Sequence, residues 1–477
     1  MFRDKAAYPF CGGMDMSFVQ RLTDFMWNPW LLGLVLLTGL YYSVRTGFFQ
    51  IFGIKTWVKT TVGSLFSGRQ NSTSGITRFQ ALATALASTI GTGSIAGVAT
   101  AIFFGGPGAV FWMWVCAVLG MMTGCAEKVL AVRWRQPGRD GKWEGGPMHY
   151  LAHGMKSPFL AGWFAIACVG GALVGGDLVQ SNSIAQALNT TFGWDRLITG
   201  VITAALAGIV LVGGIGRIAR FSELLVPVMA LLFLGSAAVV LWVRREYLGD
   251  ALGMIVSCAL SPRAAAGGAG GYGISAALRY GVARGVFTNE AGMGSSAMAH
   301  ANADTKHPGE QGMWGILEVF VATPVICTMT ALVILTAGVY DPAGALGAIG
   351  AEDLSGALVG VPLTAASFAV VLGAAGEGIV SVCLLMFAFS SLLGWSYYGE
   401  SALGWLLRGR RWRPVWRGVF LIVAVAGSVG ELELVWQLVD LFTALMALPN
   451  LAALLWLSPQ VLQSINEWLE HKSSASE

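Results

Sequence analysis

Residues 88–98 read STIGTGSIAGV, and residues 285–296 read GVFTNEAGMGSS. Both stretches interrupt long apolar runs with glycines, which weaken a helix, and they place hydroxyl, amide and carboxylate side chains beside them. A lone glycine in an apolar run is more typical of close helix packing. Here, however, the freed backbone groups would lie unpaired in hydrocarbon unless they line a polar cavity. The two stretches therefore predict two broken helices at a site inside a membrane.

The composition favours the same membrane setting. Only 12% of the 477 residues are charged, against roughly 25% in a soluble domain. The apolar runs are roughly 18–30 residues long, which suits membrane-spanning helices, whereas a barrel strand needs only about 10 alternating residues. A net charge of +3 argues against a nucleic-acid partner. We predict an all-α polytopic membrane protein.

Hydropathy predicts eleven spans. They cover residues 29–44, 79–104, 108–132, 158–188, 197–212, 221–243, 272–300, 313–339, 363–393, 415–429 and 434–457. Residues 395–407 either extend the ninth span or lie along the cytoplasmic surface. If the N-terminus is outside, eighteen Lys and Arg fall in inner segments and seven in outer segments. Because cytoplasmic loops are enriched in these residues, we expect the N-terminus outside and the C-terminus in the cytoplasm.

The positions of the two breaks suggest an inverted repeat. Without the first span, ten spans remain, and each group of five opens with a broken helix. Paired interruptions in inverted halves are typical of secondary transporters with a binding site at the membrane midplane. The predicted organisation is an extra span and basic loop in residues 1–78, a first repeat in 79–245, a second in 246–458, and a cytoplasmic tail in 459–477.

Several longer motifs resemble the alanine or glycine:cation symporter family, also called sodium:alanine symporters. They are GGPGAVFWMWVCAVLG at 105–120, GTGSIAGV at 91–98, EGGPM at 144–148, VQSNSIA at 179–185, TNEAGMGS at 288–295 and GWSYYGE at 394–400. The resemblance implies the inverted five-plus-five helix fold of bacterial leucine transporters. It also implies sodium-coupled uptake of alanine or glycine at the plasma or inner membrane, with protons as an alternative coupling ion. Ser94 and Asp177 stand where similar family members usually have Asn.

An amino-acid zwitterion that has lost its water needs polar partners at the midplane. Free amides at a half-helix N-terminus suit its carboxylate, and freed carbonyls together with the hydroxyls of Ser88 and Thr92 suit its ammonium. Phe287 and Met293 would limit the volume of the pocket. The predicted substrate-binding residues are Thr92, Gly93, Ser94, Gln180, Phe287, Thr288, Asn289, Gly292 and Met293. Gln180 has an alternative as an interhelical hydrogen-bonding residue.

The resemblance to the leucine-transporter fold also implies a sodium cage. Two adjacent hydroxyls, Ser390 and Ser391, would face the first broken helix and its carbonyls. The predicted sodium ligands are Ala87, Ile90, Phe387, Ser390 and Ser391. The alternative is that both hydroxyls bond to carbonyls one turn back on their own helix.

Two carboxylates have open roles. Asp177 could attract a cation, carry a proton, or pair with Arg284 or Arg279. Glu290 lies inside the second break and could accept hydrogen bonds from its amides or hold a counter-cation.

Other classes of function fit less well. A channel or uncoupled facilitator would show a repeated filter sequence or rings of charge. The sequence has no metalloprotease, serine-hydrolase or nucleotide-binding motif, so we expect neither an enzyme nor an ATP-driven pump. A transport-inactive sensor stays open. We expect no cofactor besides a sodium ion and no obligate protein partner.

Overall fold

The structure, a computed structural model, describes residues 16–65, 75–138, 142–260, 273–350, 356–408, 411–430 and 433–474. Its helices are α1 (Met16–Met26), α2 (Pro29–Arg45), α3 (Phe49–Phe52), α4 (Ile54–Thr60), α5 (Val62–Leu65), α6 (Arg78–Thr89), α7 (Ala96–Gly105), α8 (Gly108–Arg133), α9 (Pro147–His149), α10 (Pro158–Leu173), α11 (Val179–Phe192), α12 (Arg196–Leu211), α13 (Gly214–Val243), α14 (Leu248–Leu260), α15 (Ile274–Asn289), α16 (Ala297–His300), α17 (Pro308–Phe320), α18 (Thr328–Ala337), α19 (Pro342–Gly350), α20 (Val361–Leu372), α21 (Ala374–Leu407), α22 (Arg413–Val429), α23 (Glu433–Trp456) and α24 (Ser458–Ser474). A short antiparallel hairpin joins β1 (Gln136–Pro137) to β2 (Trp143–Glu144).

Six helical units among the described residues are long and apolar enough to cross a membrane. They are Gly108–Arg133, Pro158–Phe192, Gly214–Val243, Pro308–Ala337, Ala374–Leu407 and Val435–Trp456. The 26 residues of α8 extend about 39 Å at 1.5 Å per residue, which exceeds the roughly 30 Å hydrocarbon core. The prediction of a helical multi-pass membrane protein is therefore confirmed.

The two predicted breaks are present and are shorter than the quoted sequence stretches. The first separates α6 from α7 and contains a 3₁₀ turn, Thr92–Ser94. The second begins after α15, where Glu290 has a left-handed φ of 55°, and it ends at α16. Gly292 and Gly294 also have positive φ, 94° and 77°, which other residues rarely adopt. We call residues 90–95 break 1 and residues 290–296 break 2.

The long helices pack in pairs around these breaks. α8 packs against α17, α10 and α11 pack against α21, and α12 packs against α22. The α8–α17 contact is close because glycines line it. A Cβ on Gly315 would lie 2.6 Å from the carbonyl oxygen of Gly124, and one on Gly312 would lie 2.8 Å from Cys125 Sγ. Small residues of this kind let helix backbones approach closely in membranes.

The predicted ninth span, 363–393, is wrong. Gly373 has a φ of 59° and ends α20, and α21 then begins at Ala374. The 34-residue α21 continues to Leu407, so residues 395–407 extend a membrane helix.

Three π-helical turns were not foreseen in the sequence. They are Tyr150–Gly154, Val174–Leu178 and Val321–Cys327. The second joins α10 to α11 and the third joins α17 to α18. The predicted tail is also structured, since α24 packs against α8 and α17.

Candidate functional site

Two hydroxyls of α21 contact the end of α6 at break 1. Ser390 Oγ donates to the Ala87 carbonyl at 2.9 Å. Ser391 Oγ donates to the Ser88 carbonyl at 2.8 Å. Ser390 Oγ also lies 2.9 Å from the Phe387 carbonyl on its own helix, so the alternative contact is present too. The carbonyls at a helix end lack intrahelical partners, and the hydroxyl pair supplies them from a neighbouring helix.

Gln180 reaches break 1 from α11. Its Oε1 accepts from the Thr92 N–H at 3.4 Å, and its Nε2 donates to the Gly175 carbonyl at 3.0 Å. A Cβ on Gly91 would lie 3.0 Å from Ser391 Oγ and 3.3 Å from Gln180 Oε1. The backbone therefore passes between these side chains at a point that favours glycine.

Break 1 touches the end of α15, the helix that leads into break 2. A Cβ on Gly93 would lie 3.1 Å from the ring of Phe287 and 3.3 Å from Thr288 Oγ1. Thr288 Oγ1 is already bonded to the Arg284 carbonyl at 2.6 Å. The structure thus places three predicted substrate-binding residues, Gly93, Phe287 and Thr288, side by side.

Three buried polar atoms at this junction have no hydrogen-bond partner among the described residues. They are Thr92 Oγ1, Ser94 Oγ and Asn289 Nδ2. Asn289 uses only its Oδ1, which accepts from the Ala291 N–H at 3.0 Å. Buried polar groups are nearly always satisfied, so these atoms indicate a place for a polar ligand.

The remaining predicted residues have other contacts. The carbonyl of Ser94 accepts from Thr330 Oγ1 on α18 at 2.8 Å. The N–H of Ile90 donates to the Leu86 carbonyl at 2.7 Å. Met293 is buried, and its N–H donates to the Glu290 carbonyl at 3.1 Å.

A carboxylate on α8 holds break 2 in its non-helical form. Glu127 Oε1 accepts from the N–H groups of Gly292 at 2.8 Å and Gly294 at 3.0 Å. The same oxygen accepts from Asn450 Nδ2 of α23 at 2.7 Å, and Asn450 Nδ2 also donates to the Gly292 carbonyl at 2.9 Å. Tyr150 donates its hydroxyl hydrogen to Asn450 Oδ1. These bonds replace the helical bonds that break 2 lacks.

Next to Glu127 lies a second set of buried charged groups. Lys128 Nζ is 3.1 Å from Glu318 Oε2 on α17, and both side chains have 0% exposure. His300 Nε2 is 3.0 Å from the same oxygen, and Gln311 Nε2 is 2.6 Å from His300 Nδ1. We call Glu127, Lys128, His300 and Glu318 the charge cluster.

The sequence analysis missed the charge cluster. Charged residues inside membrane spans are costly and are retained for function or for pairing. The adjacent Glu127 and Lys128 in the apolar run of α8 were therefore a usable signal.

Of the three roles open to Asp177, pairing with Arg284 or Arg279 is absent from the structure. Both Asp177 carboxylate oxygens are buried without a hydrogen-bond partner among the described residues. Arg284 binds Asp440 Oδ2 at 3.0 Å, and Arg279 binds Asp24 Oδ1 at 2.5 Å. Carboxylates on α23 and α1 lie nearer to these arginines than the π-helical turn that carries Asp177. Glu290, by contrast, accepts a hydrogen bond from the Ser295 hydroxyl.

Aromatic packing closes the site beside Phe287. Its ring meets Trp436 of α23 edge to face, with centroids 5.9 Å apart. The guanidinium of Arg284 lies 5.3 Å from the centre of the Trp436 ring. The Arg284–Asp440 ion pair therefore joins α15 to α23 close to Phe287.

A cavity of about 1100 Å³ approaches break 1 from another direction. It is lined by charged and polar side chains that include Lys142, Glu144, His149, His153, Glu400, Arg408, Arg413 and Arg417. Tyr397 also lines it, and the next residue, Tyr398, shares a 2.6 Å hydrogen bond with Ser88. The cavity therefore reaches the residue next to one that is hydrogen-bonded to the last turn of α6.

The fold is that of known membrane transporters. The crystal structure of MhsT in complex with L-phenylalanine matches with a TM-score of 0.53 at 13% identity, over 83% of this chain and 99% of that chain. A mutant of the Eremococcus coleocola manganese transporter matches with a TM-score of 0.57 at 15% identity, over 83% of this chain and 84% of that one. These likenesses show that the chain has the leucine-transporter fold.

Sequence comparison then gives the family. The sodium:alanine symporter family matches residues 13–477, and the chain belongs to it. The resemblance seen in the motifs is confirmed, and the protein is a transporter and not an enzyme.

Several relatives share nearly the full length. The sodium/alanine symporter AgcS of Methanococcus maripaludis is 41% identical over 461 residues, which cover 95% of this chain and 97% of the relative. The probable sodium/glutamine symporter GlnT of Bacillus subtilis is 36% identical over 95% of this chain and 91% of the relative. The putative sodium/proton-dependent alanine carrier YrbD of Bacillus subtilis is 33% identical over 96% of this chain and 93% of the relative.

Proposed function

We propose that this protein imports a small neutral amino acid, alanine or glycine, coupled to sodium by alternating access. The observation that carries the proposal is the contact of the Ser390 and Ser391 hydroxyls with the open end of α6, beside the junction of the two breaks. The name of the 41% identical relative AgcS supports alanine and sodium.

The substrate would lie where break 1 meets α15. The N–H groups of the 3₁₀ turn Thr92–Ser94, which precedes α7, would take the carboxylate, because a helix N-terminus carries partial positive charge. The Thr92 N–H would then exchange Gln180 Oε1, and the Ser94 N–H the Gly91 carbonyl, for a substrate oxygen. The unpartnered Thr92 Oγ1 and the amide of Asn289 are additional polar contacts. Gly93 lies against the ring of Phe287, which leaves room for a small side chain only. This close contact favours alanine or glycine over glutamine, the substrate in the name of the relative GlnT.

Sodium would bind between α21 and α6. The ion prefers hard oxygen ligands, and backbone carbonyls with hydroxyls supply them. The proposed ligands are the carbonyls of Ala87, Ile90 and Phe387 and the hydroxyls of Ser390 and Ser391. In the present structure each hydroxyl donates to a carbonyl, and on sodium binding it would turn its oxygen toward the ion.

The architecture would be an inverted repeat of residues 79–245 and 246–458, with α2 as the extra span of eleven. The pairing of α8 with α17, of α11 with α21 and of α12 with α22 supports it, because each pair joins corresponding helices of the two halves. With the N-terminus outside, the loop residues that line the cavity fall in cytoplasmic segments, and Tyr397, Glu400 and Ser401 lie near the cytoplasmic end of α21. A cysteine at Gln70, which lies outside the described residues, should resist labelling from outside intact cells. Efficient labelling would overturn this orientation.

Uptake of labelled alanine and glycine into proteoliposomes tests the function. We expect accumulation that requires an imposed sodium gradient and carries charge inward. Uptake driven by a proton gradient alone would favour the alternative, a proton-coupled carrier, which the name of YrbD also suggests. Equilibration without accumulation under either gradient would indicate an uncoupled carrier and refute the proposal.

A further inference from the structure

A fully buried ammonium group lies in a cage of oxygens at break 2. Lys128 Nζ is 2.8 Å from Ser296 Oγ, 3.1 Å from Glu318 Oε2 and 3.4 Å from Glu127 Oε2. Burying an ammonium in a membrane protein is costly unless nearby oxygens replace its water. The three oxygens come from break 2, α17 and α8, so a single cation joins three elements.

The carboxylates of this cage are also held by partners other than the lysine. Glu127 Oε1 accepts from the N–H groups of Gly292 and Gly294 and from Asn450. Glu318 Oε2 is bound by His300. The cage would therefore persist without the ammonium, and two carboxylate oxygens with a hydroxyl are ligands that a free monovalent cation prefers.

We propose that Lys128 is a tethered cation that permanently fills a second cation site at break 2. Because the ammonium cannot leave, this site holds break 2 against α8 and α17 in every step of transport. Only the ion beside Ser390 and Ser391 is then exchanged with water. The transport consequence of this inference, one exchangeable sodium ion per substrate, rests on the proposed function. Whether Lys128 occupies a cation site can be tested without measuring transport.

The decisive variants are Lys128→Met and the matched double variant Lys128→Met/Glu318→Gln. The single variant leaves the cage with uncompensated negative charge, whereas the double variant removes a negative charge with the positive one. Both are purified in detergent with sodium chloride present, and their thermal unfolding is followed as sodium replaces choline at constant ionic strength.

We expect Lys128→Met to be unstable in choline and to gain a sodium-dependent stabilisation larger than the one that the wild type owes to its exchangeable site. Methylammonium should stabilise the single variant as sodium does, without stabilising the wild type. The double variant should need neither cation. In proteoliposomes, uptake by Lys128→Met should fall at least about tenfold at low sodium and recover at high sodium, since breaking a buried ion pair costs several kcal/mol.

An unchanged sodium dependence of unfolding in Lys128→Met would overturn the inference. So would failure to recover this variant in saturating sodium, because a free cation should then fill the cage. If the wild type shows no sodium-driven uptake, the proposed function fails, yet the unfolding measurements still decide whether Lys128 occupies a cation site.

Discussion

The two breaks are held by different chemistry. Break 1 is contacted by neutral groups, namely the hydroxyls of Thr330 and Thr364 and the amide of Gln180. Break 2 is contacted by charged groups, with Glu127 on its amides and Lys128 on Ser296. Neutral oxygens can give up one partner for a ligand at small cost, whereas separating buried charges costs several kcal/mol. The difference suggests that break 1 exchanges its ligands and break 2 serves as the fixed wall of the site.

The strongest test of this contrast is Glu127→Ala. Three N–H donors and the Lys128 ammonium would lose their acceptor, so we expect a loss of about 3–5 kcal/mol of stability. Thermal unfolding in detergent measures the effect, and Glu246→Ala, at an exposed carboxylate, is the control. A Glu127→Ala protein as stable as this control would show that break 2 does not depend on charge.

The matching test at break 1 is Ser390→Ala with Ser391→Ala. We expect the half-saturating sodium concentration to rise at least about tenfold, because each lost hydrogen-bonding oxygen contributes about 1 kcal/mol. Selectivity among substrates should change less. Ser367→Ala is the control, since its hydroxyl bonds to the Leu363 carbonyl on its own helix at 2.7 Å. Unchanged sodium dependence in the folded double variant would remove this pair from the cation site.

A smaller effect, on substrate selectivity, is expected from a change at Phe287, where break 1 meets α15. Phe287→Ala would open space beside Gly93, and larger neutral amino acids such as leucine should then inhibit alanine uptake. Each methylene accommodated in a pocket changes binding by about 1–3 kcal/mol. Phe159→Ala, at an exposed ring, is the control. If leucine fails to compete in Phe287→Ala, the ring does not set the volume of the pocket.

Asp177 belongs to neither break, and we expect its substitution to change uptake less than the other variants do. A buried carboxyl without a partner is stable only when protonated, so rising pH should disfavour this conformation and lower uptake. Uptake is compared from about pH 5.5 to about pH 8.5, a range in which an exposed aspartate stays ionised. We expect Asp177→Asn to flatten the profile, because the amide is neutral throughout. Superimposable profiles would assign Asp177 a structural role.

The sequence predicted the positions of both breaks because glycines beside polar side chains are a local pattern. It also singled out Ser390, Ser391 and Gln180, and the structure places all three at break 1, although their roles in binding stay predictions. These residues stand out because each is polar within an apolar run. The eleven-span count likewise stays a prediction.

The charge cluster escaped sequence analysis for a physical reason. Glu127 and Lys128 are separated from His300 and Glu318 by roughly 170–190 residues of sequence, and packing of α8 against α16 and α17 brings them together. The break at Gly373 was missed because the apolar pattern continues through it. A left-handed φ at a single glycine ends α20 there without any change in hydropathy.

The cavity lined by Tyr397 bears on the order in which sodium and the amino acid leave the protein. Four Lys and Arg side chains and two Glu side chains line it, and Arg413 and Arg417 both pair with Glu400. A cleft with excess positive charge lowers the local concentration of cations and raises that of anions. If it is the cytoplasmic exit, an outgoing sodium ion would be driven onward into bulk water while the amino acid's carboxylate would be retained. We infer that sodium departs first, and raising the ionic strength during efflux measurements should reduce this difference, since salt screens the field.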